Sequence, residues 1–381
     1  MPLDFYSECD SPGTIEAITN ALRVGGHEVC LVEADPALPH WFLTHPVDLV
    51  FNIAEGARGA HRESQVPAIL ESLQIPFTGS GSLTLALALD KARTKQVLAY
   101  EGLPTPAWQL FETLDERLEP RLAFPLIVKP NCEGSAKGIL RESVVWEEAA
   151  LRRQVRRILE YYRQPALVEE FIEGTELTVG ILDNDEEARA LPILEIDFSG
   201  CQTSGEFFYS WRMKEYQGNA ALGLAPAFYC PARLDPALTA RVQTVALRAH
   251  RALGCWDLSR TDIRLHRDGT PFVLEVNPLP GLNPLESNFP LMTTAAGMTY
   301  PSLINHLVEL ALARVPHQPG RLRRTAAPLP LVHGDGRAHR GGPAAWAGRQ
   351  DAPAQEPSPR LPVAALVEPQ VSQLVESRTA P

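Results

Sequence analysis

The chain reads as a multidomain protein, α/β at its start and α+β beyond, and three observations predict this. Its 381 residues exceed what one hydrophobic core usually fills. The first hundred residues alternate helical patterns with short β-branched runs, as buried parallel strands do. Beyond a connector at Leu103-Pro104-Thr105-Pro106, strand patterns follow one another with turn signals between them, as in antiparallel sheets.

Ser11-Pro12 supplies an N-cap and a proline at the first helical position, and Ile15, Ile18 and Leu22 mark one apolar helix face that closes at Gly25-Gly26. Glu28 to Val32 and Asp48 to Ile53 read as buried parallel strands. A sheet of this kind normally has a strand ahead of its first helix, yet only a short polar stretch precedes Ser11. The first strand is therefore expected to be missing or rudimentary, through either a late start codon or a remodelled N-terminus. Leu83 to Tyr100 predicts one long helix closed by Gly102. Strands are expected at 126–130, 166–172, 176–182 and 191–198, then a helix from Asp235-Pro236 to Gly254. Thr261 to His266 and Pro271 to Val276 form a hairpin across Arg267-Asp268-Gly269-Thr270, since Asp-Gly suits a type I′ turn. From about residue 316 the composition turns to Pro, Ala, Arg and Gly without periodicity, which predicts a disordered tail over 316–381. The expected units are 1–103, 104–182, 183–315 and that tail.

The formal charge of −11 and a pI near 5.5 argue against a nucleic-acid or membrane-surface role, which normally shows a basic face. Six scattered cysteines without a C-x-x-C pair suggest reduced thiols rather than a disulfide framework or zinc site. The N-terminus has no signal-peptide pattern, and no apolar run of about 18 residues occurs. A soluble cytoplasmic protein is the expectation.

Chemistry enters at the hairpin. Glu275 and Asn277, two residues apart, project from one sheet face, and Asp262 on the partner strand can meet them. Two carboxylates and an amide carbonyl suit Mg²⁺ beside phosphate oxygens, although a solvated polar strand face would read the same way. Glu133-Gly134-Ser135-Ala136-Lys137-Gly138 follows a strand ending in Lys129-Pro130, so its backbone N–H groups can close over phosphates, though such loops also occur as plain connections. No Walker A pattern is present. Leu167 to Glu176 offers an apolar strand and then acidic residues, which suits an adenine edge and a ribose.

The order of these pieces is more specific than any one of them: Asp90-Lys91, Lys129-Pro130, Glu133-Gly134-Ser135, Glu169 to Glu176, Lys214, Ser259-Arg260-Thr261-Asp262 and Glu275-Val276-Asn277-Pro278-Leu279-Pro280-Gly281. Over roughly residues 11–312 the chain resembles the D-alanine:D-alanine ligase family of ATP-grasp enzymes. The resemblance implies a parallel-sheet domain followed by a two-lobed ATP-grasp fold, with ATP and Mg²⁺, or Mn²⁺ in its place, between the lobes. It implies phosphate contacts by Lys91, Lys129 and Lys214, with Glu169 and Ile172 at the adenine and Glu176 at the ribose. Asp262, Glu275 and Asn277 would hold the metal, Ser135 would belong to the loop over the phosphates, and Arg260 with the Gly281 N–H would face the oxyanion. The reaction implied is activation of a carboxylate as an acyl phosphate, followed by attack of an amine. The partners expected are ATP and small amino acids, with neither nucleic acid nor membrane. Relatives are often homodimers, but no sequence feature marks an interface.

Four departures fall in the amino-acid pockets. Glu215 stands where the family has a tyrosine after the loop lysine, and Glu55 where it has a histidine. The path from Gly281 to Ser287 is one residue longer, and Glu8 is the nearest counterpart of the glutamate that receives the first ammonium group. Glu8, Glu55 and Ser287 are thus substrate-site candidates. The leading expectation is a D-alanine:D-alanine ligase. The alternatives are an ATP-grasp ligase for other amino acids or acids, and an inactive ligase-like nucleotide-binding protein. A substrate panel separates the first two, and retention of all the implied phosphate and metal residues argues against the third. Water exclusion during the acyl-phosphate stage further predicts that the Ser135 loop and the 199–218 segment close over the cleft.

Overall fold

The first helix begins where its capping residues place it. In a computed structural model that describes residue 4, residues 7–314 and residues 362–367, the Ser11 hydroxyl accepts from the Thr14 N–H at the start of α1 (Pro12–Val24). The chain continues through β1 (Glu28–Glu33), α2 (Leu38–Thr44), β2 (Leu49–Asn52) and α3 (Gln65–Leu73). The long helix predicted over 83–100 is two, α4 (Ser82–Leu89) and α5 (Lys91–Tyr100). Asp90 breaks the run: its backbone is extended and its carboxylate accepts the Arg93 N–H as the N-cap of α5. Apolar periodicity runs through both helices and hides the cap.

A four-stranded sheet follows, from β3 (Trp108–Phe111), β4 (Leu126–Pro130) and β5 (Val144–Val145), then α6 (Glu148–Arg157) and β6 (Ala166–Glu170), in the order β3-β6-β4-β5. The six-stranded sheet takes β7 (Gly174–Leu182), β8 (Arg189–Ala190), β9 (Leu194–Asp197), β10 (Ala227–Tyr229), β11 (Leu258–His266) and β12 (Pro271–Asn277). Between these strands lie α7 (Trp211–Glu215) and α8 (Pro236–Ala252), and α9 (Asn288–Ala295) and α10 (Tyr300–Ala313) follow. All pairings in both sheets are antiparallel, as the turn signals predicted. Because β7 pairs with β11 from Gly174↔His266 to Leu182↔Leu258, it belongs to the third unit rather than the second. By sheet membership the division falls before residue 174, not after 182.

The N-terminal sheet corrects a second expectation. β1 and β2 do not pair with each other. β13 (Pro362–Val367) lies between them, parallel to both, with Glu28↔Pro362 through Glu33↔Val367 on one side and Val363↔Leu49 through Leu366↔Asn52 on the other. The position where a first strand seemed missing is filled from the far end of the chain, by residues expected in a disordered tail. The rest of that tail, 315–361 and 368–381, lies outside the described residues. Proline- and alanine-rich surroundings mask the run Val363-Ala364-Ala365-Leu366, each residue of which is at most 3% exposed.

Among the described residues four main cores hold these layers. One joins α1, β2, α9 and α10, a second packs α8 under the six-stranded sheet, a third packs α2 and α3 against β2 and β13, and a fourth packs α6 against the four-stranded sheet. Among the described residues no disulfide forms between the six cysteines. Among the described residues, no helix is long and apolar enough to cross a membrane.

Candidate active site

The three sheets face a cavity of about 560 Å³, and every residue given a catalytic, nucleotide, metal or substrate role from the sequence lines it. Antiparallel register builds its acidic floor. Asp262 on β11 and Glu275 on β12 are direct partners, so both side chains rise from one face, and Asn277 follows two residues along the same face. Lys91, first residue of α5, lies 3.1 Å from Glu275 and donates to the Glu133 carbonyl. Arg260 donates twice to Asp262, at 3.0 and 2.8 Å, and the Thr178 hydroxyl donates to the same carboxylate at 2.6 Å. Burial alone would raise the Glu275 pKa, but Lys91, Lys129 and Arg260 outweigh it and bring it down to about 2.

Among the described residues no three His, Cys, Asp or Glu side chains converge as a self-sufficient metal centre. The floor instead offers two carboxylates and the Asn277 amide oxygen, which already accepts the Leu279 N–H at 2.8 Å and retains a second lone pair. An incomplete set of hard oxygen donors fits Mg²⁺ that takes its remaining ligands from phosphates and water.

Cations ring the floor. Lys129, at the end of β4, and Lys95 on α5 both hold the Glu169 carboxylate, at 2.5 and 2.7 Å. Glu169 therefore anchors lysines through its side chain, and Ile172 follows it on the cavity wall. Lys95 was missed from the sequence because it lies one helical turn beyond Lys91 in a segment read only as helix. Glu176 pairs with Arg264 at 3.2 Å, and its pKa is raised, chiefly by burial.

The glycine-rich loop closes the cavity. Ser135 and Ala136 both adopt left-handed backbone (φ 52° and 55°), a costly conformation for residues with a Cβ and one that clusters at functional sites. The Lys214 ammonium donates to the Ser135 hydroxyl at 2.6 Å, and the Trp211 N–H donates to the Ile139 carbonyl. The Ser135 loop and the segment around α7 thus meet over the cleft. Burial and then Arg260 lower the Lys214 pKa. Gly281 is confined by packing, because a Cβ there would stand 2.9 Å from the Ser287 hydroxyl oxygen. That hydroxyl accepts the Asn283 N–H at 3.1 Å.

The remaining wall comes from the N-terminal unit. Glu8 lines it, but both its oxygens are engaged: Arg62 and Lys137 each approach to 2.7 Å, and the Gly134 N–H donates at 2.8 Å. Arg62 and Lys137 also pair with Glu133. Arg62 was not named from the sequence and Lys137 only as part of the glycine-rich loop, since their pairing becomes visible only when residues 8, 62 and 133–137 are brought together. Glu55 makes no hydrogen bond or salt bridge among the described residues. Burial, and then repulsion from Glu63, Glu8 and Asp10, raises its pKa well above the usual carboxylate range. Glu63, only 6% exposed, is pushed up to about 7 by burial and by Glu8.

Residues 96–309 match the family model described as the D-ala D-ala ligase C-terminus. The D-alanine–D-alanine ligase of Pelotomaculum thermopropionicum is 35% identical over 309 residues, which are 78% of this chain and 91% of that protein. An uncharacterized protein of Sinorhizobium fredii is 34% identical over 307 residues, 78% of this chain and 87% of that one. The crystal structure of the Bacillus anthracis D-alanine–D-alanine ligase complexed with ATP aligns with a TM-score of 0.64 and 27% identity, over 80% of this chain and 94% of that one.

Proposed function

The chain belongs to the D-alanine–D-alanine ligase family, and from that premise we propose that it joins two amino acids, D-alanine foremost, into a dipeptide at the expense of ATP. The observation that carries this reading is the convergence of Lys91, Lys129, Lys214, Arg260, Asp262, Glu275 and Asn277 on one cavity between two antiparallel sheets. Such a ligase supplies a peptidoglycan precursor. Since ATP and free amino acids meet inside the cell, the proposal places the reaction in the cytoplasm.

In this reading ATP lies between the four- and six-stranded sheets, with its adenine near Ile172 and its ribose near Glu176. Lys91, Lys129 and Lys214 offset phosphate charge, and the Ser135 loop covers the transferring group. Asp262, Glu275 and Asn277 would hold Mg²⁺, which supplies charge neutralisation at the phosphates. The donor carboxylate attacks the γ-phosphorus and ADP leaves, forming an acyl phosphate. The acceptor amine then attacks the acyl carbon, the amine proton is lost, and phosphate departs. Arg260 and the Gly281 N–H face the oxyanion of that second step, where one donor is worth about 3 kcal/mol. The Ser135–Lys214 contact joins the two segments that would close over the acyl phosphate.

Glu55 and Glu215 favour a second reading, in which one amino-acid pocket takes a substrate other than D-alanine. Phosphate release from Mg-ATP with each amino acid singly and in pairs tests both. D-alanine-dependent release with dipeptide formation, abolished in Glu275→Ala, supports the first; release with another acid alone supports the second. Release with no amino acid or acid pair from a protein that binds ATP would refute ligation.

A further inference from the structure

We propose that the slot between β1 and β2 is a docking site for the carboxy-terminal segment of this same chain, and that filling it assembles the amino-acid end of the cavity without being needed by the nucleotide end. The second half of the proposal rests on the ligase reading; the docking itself does not.

The slot is built to take a strand. β1 and β2 share no ladder, so each would present an unpaired edge to the gap if β13 left. Apart from β13, the strand pairing of β2 among the described residues is an isolated bridge from Val50 to Phe77. The occupant is matched on both faces. Val363 packs into the core formed with α1 and α10, whereas Ala364 and Leu366 pack into the core with α2 and α3. Alternate residues of one strand thus join two separate cores, as in a central strand of a parallel sheet. Main-chain pairing supplies affinity, and the small side chain of Ala364, fully buried, sets what sequence can enter.

Two features make this a docking event rather than ordinary sheet formation. Residues 315–361 separate the strand from the end of α10 in sequence, so its arrival closes a long loop and carries the entropy cost of doing so. The parallel strands it joins belong to the opposite end of the chain, so this sheet has no local route to completion.

The link to function runs through β2. Leu366 pairs with Asn52, the last residue of β2, and the next residues, Ile53 and Glu55, line the cavity. The Asn52 N–H donates to Thr78, and its side chain accepts the Ala54 N–H, which sets the exit of the strand. By contrast, Lys129, Glu176, Asp262 and Glu275 stand on sheets that share no strand with this one.

The test uses the full chain carrying Ala364→Asp and a synthetic peptide of residues 358–370. Amide hydrogen exchange at β1 and β2 reports docking without any substrate, so it stands even if no amino acid elicits phosphate release. Expected are lost protection at β1 and β2, at least about tenfold slower donor-dependent phosphate release, and ATP affinity within about twofold of the parent. Adding the parental peptide restores protection and turnover, and the same peptide with Ala364→Asp does not. Unchanged protection in the variant, or failure of the parental peptide to restore it, overturns the docking proposal. Parental protection that rises with protein concentration assigns the strand to a second copy and overturns the intrachain form. Restored protection with ATP affinity lost throughout overturns the separation of the two ends.

Discussion

Glu55 and Glu63 show how much of the pocket's electrostatics rests on individual side chains. Arg62 and Lys137 are already shared between Glu8 and Glu133, so burial and neighbouring carboxylates outweigh what Arg62 offers Glu55 and Glu63, and the pKa of both is raised. A substrate ammonium group would meet Glu55 rather than Glu8, whose oxygens are taken. Glu55→Gln should therefore raise the KM for the carboxylate donor about tenfold with little change in KM for ATP, measured by phosphate release. Because the Glu55 pKa is raised, donor binding through its charge should strengthen as pH rises through that value, and Gln should flatten the profile. Glu63 acts on stability. Its folded pKa of about 7 exceeds the unfolded value near 4.5, so between these the folded chain binds more protons and stability falls as pH rises. Glu63→Gln should recover up to about 3 kcal/mol at pH 8 and nothing at pH 4, read from urea unfolding.

Among the elements, α5 ties capping to catalysis. Asp90 accepts the Arg93 N–H and also a hydrogen bond from the Asn131 side chain, while the Lys91 N–H donates to the Asn131 carbonyl. The cap thus fixes where Lys91 enters the cavity. Asp90→Ala should cost about 1 kcal/mol of stability, and should lower turnover beyond what that loss explains because Lys91 shifts from Glu275. Comparing kcat with the unfolding midpoint separates the two effects. The left-handed pair Ser135-Ala136 makes a different use of local structure. Ala136→Gly should relieve about 1 kcal/mol of strain while admitting water, detected as ATP hydrolysis uncoupled from dipeptide formation.

Across the whole molecule, a buried ion pair between Asp257, just ahead of β11, and Arg314, at the end of α10, is hydrogen-bonded to the backbone of Phe77 and Gly79 in the N-terminal unit. Asp257 is fully buried; it accepts the Gly79 N–H at 2.7 Å and hydrogen bonds from Asn184 and Arg314. Arg314 also donates to the carbonyls of Phe77 and Gly79 and lies over Trp256. Removing the cation leaves a fully buried carboxylate without its counter-charge. Arg314→Ala should destabilise by about 3 kcal/mol and lower Tm, with chemical denaturation giving the free energy. Replacing both partners with apolar residues should recover part of that loss.

Helix caps, hairpin turns and alternation are local, so the first helix, the β11–β12 hairpin and the antiparallel order could be read from the chain before any fold was known. The residues proposed to hold the metal could be grouped for a related reason: Glu275 and Asn277 share a face through the two-residue period of one strand, and Asp262 sits opposite through a single turn. Residues joined over long separations were not. Nothing in the neighbourhood of Glu8 says that Arg62 and Lys137 will claim both its oxygens, and nothing near Val363 says that its partners are residues 28–33 and 49–52. Short apolar runs carry no address. Which gap they fill is chosen by the unpaired backbone and apolar faces waiting there, and those exist only once the rest of the chain has packed.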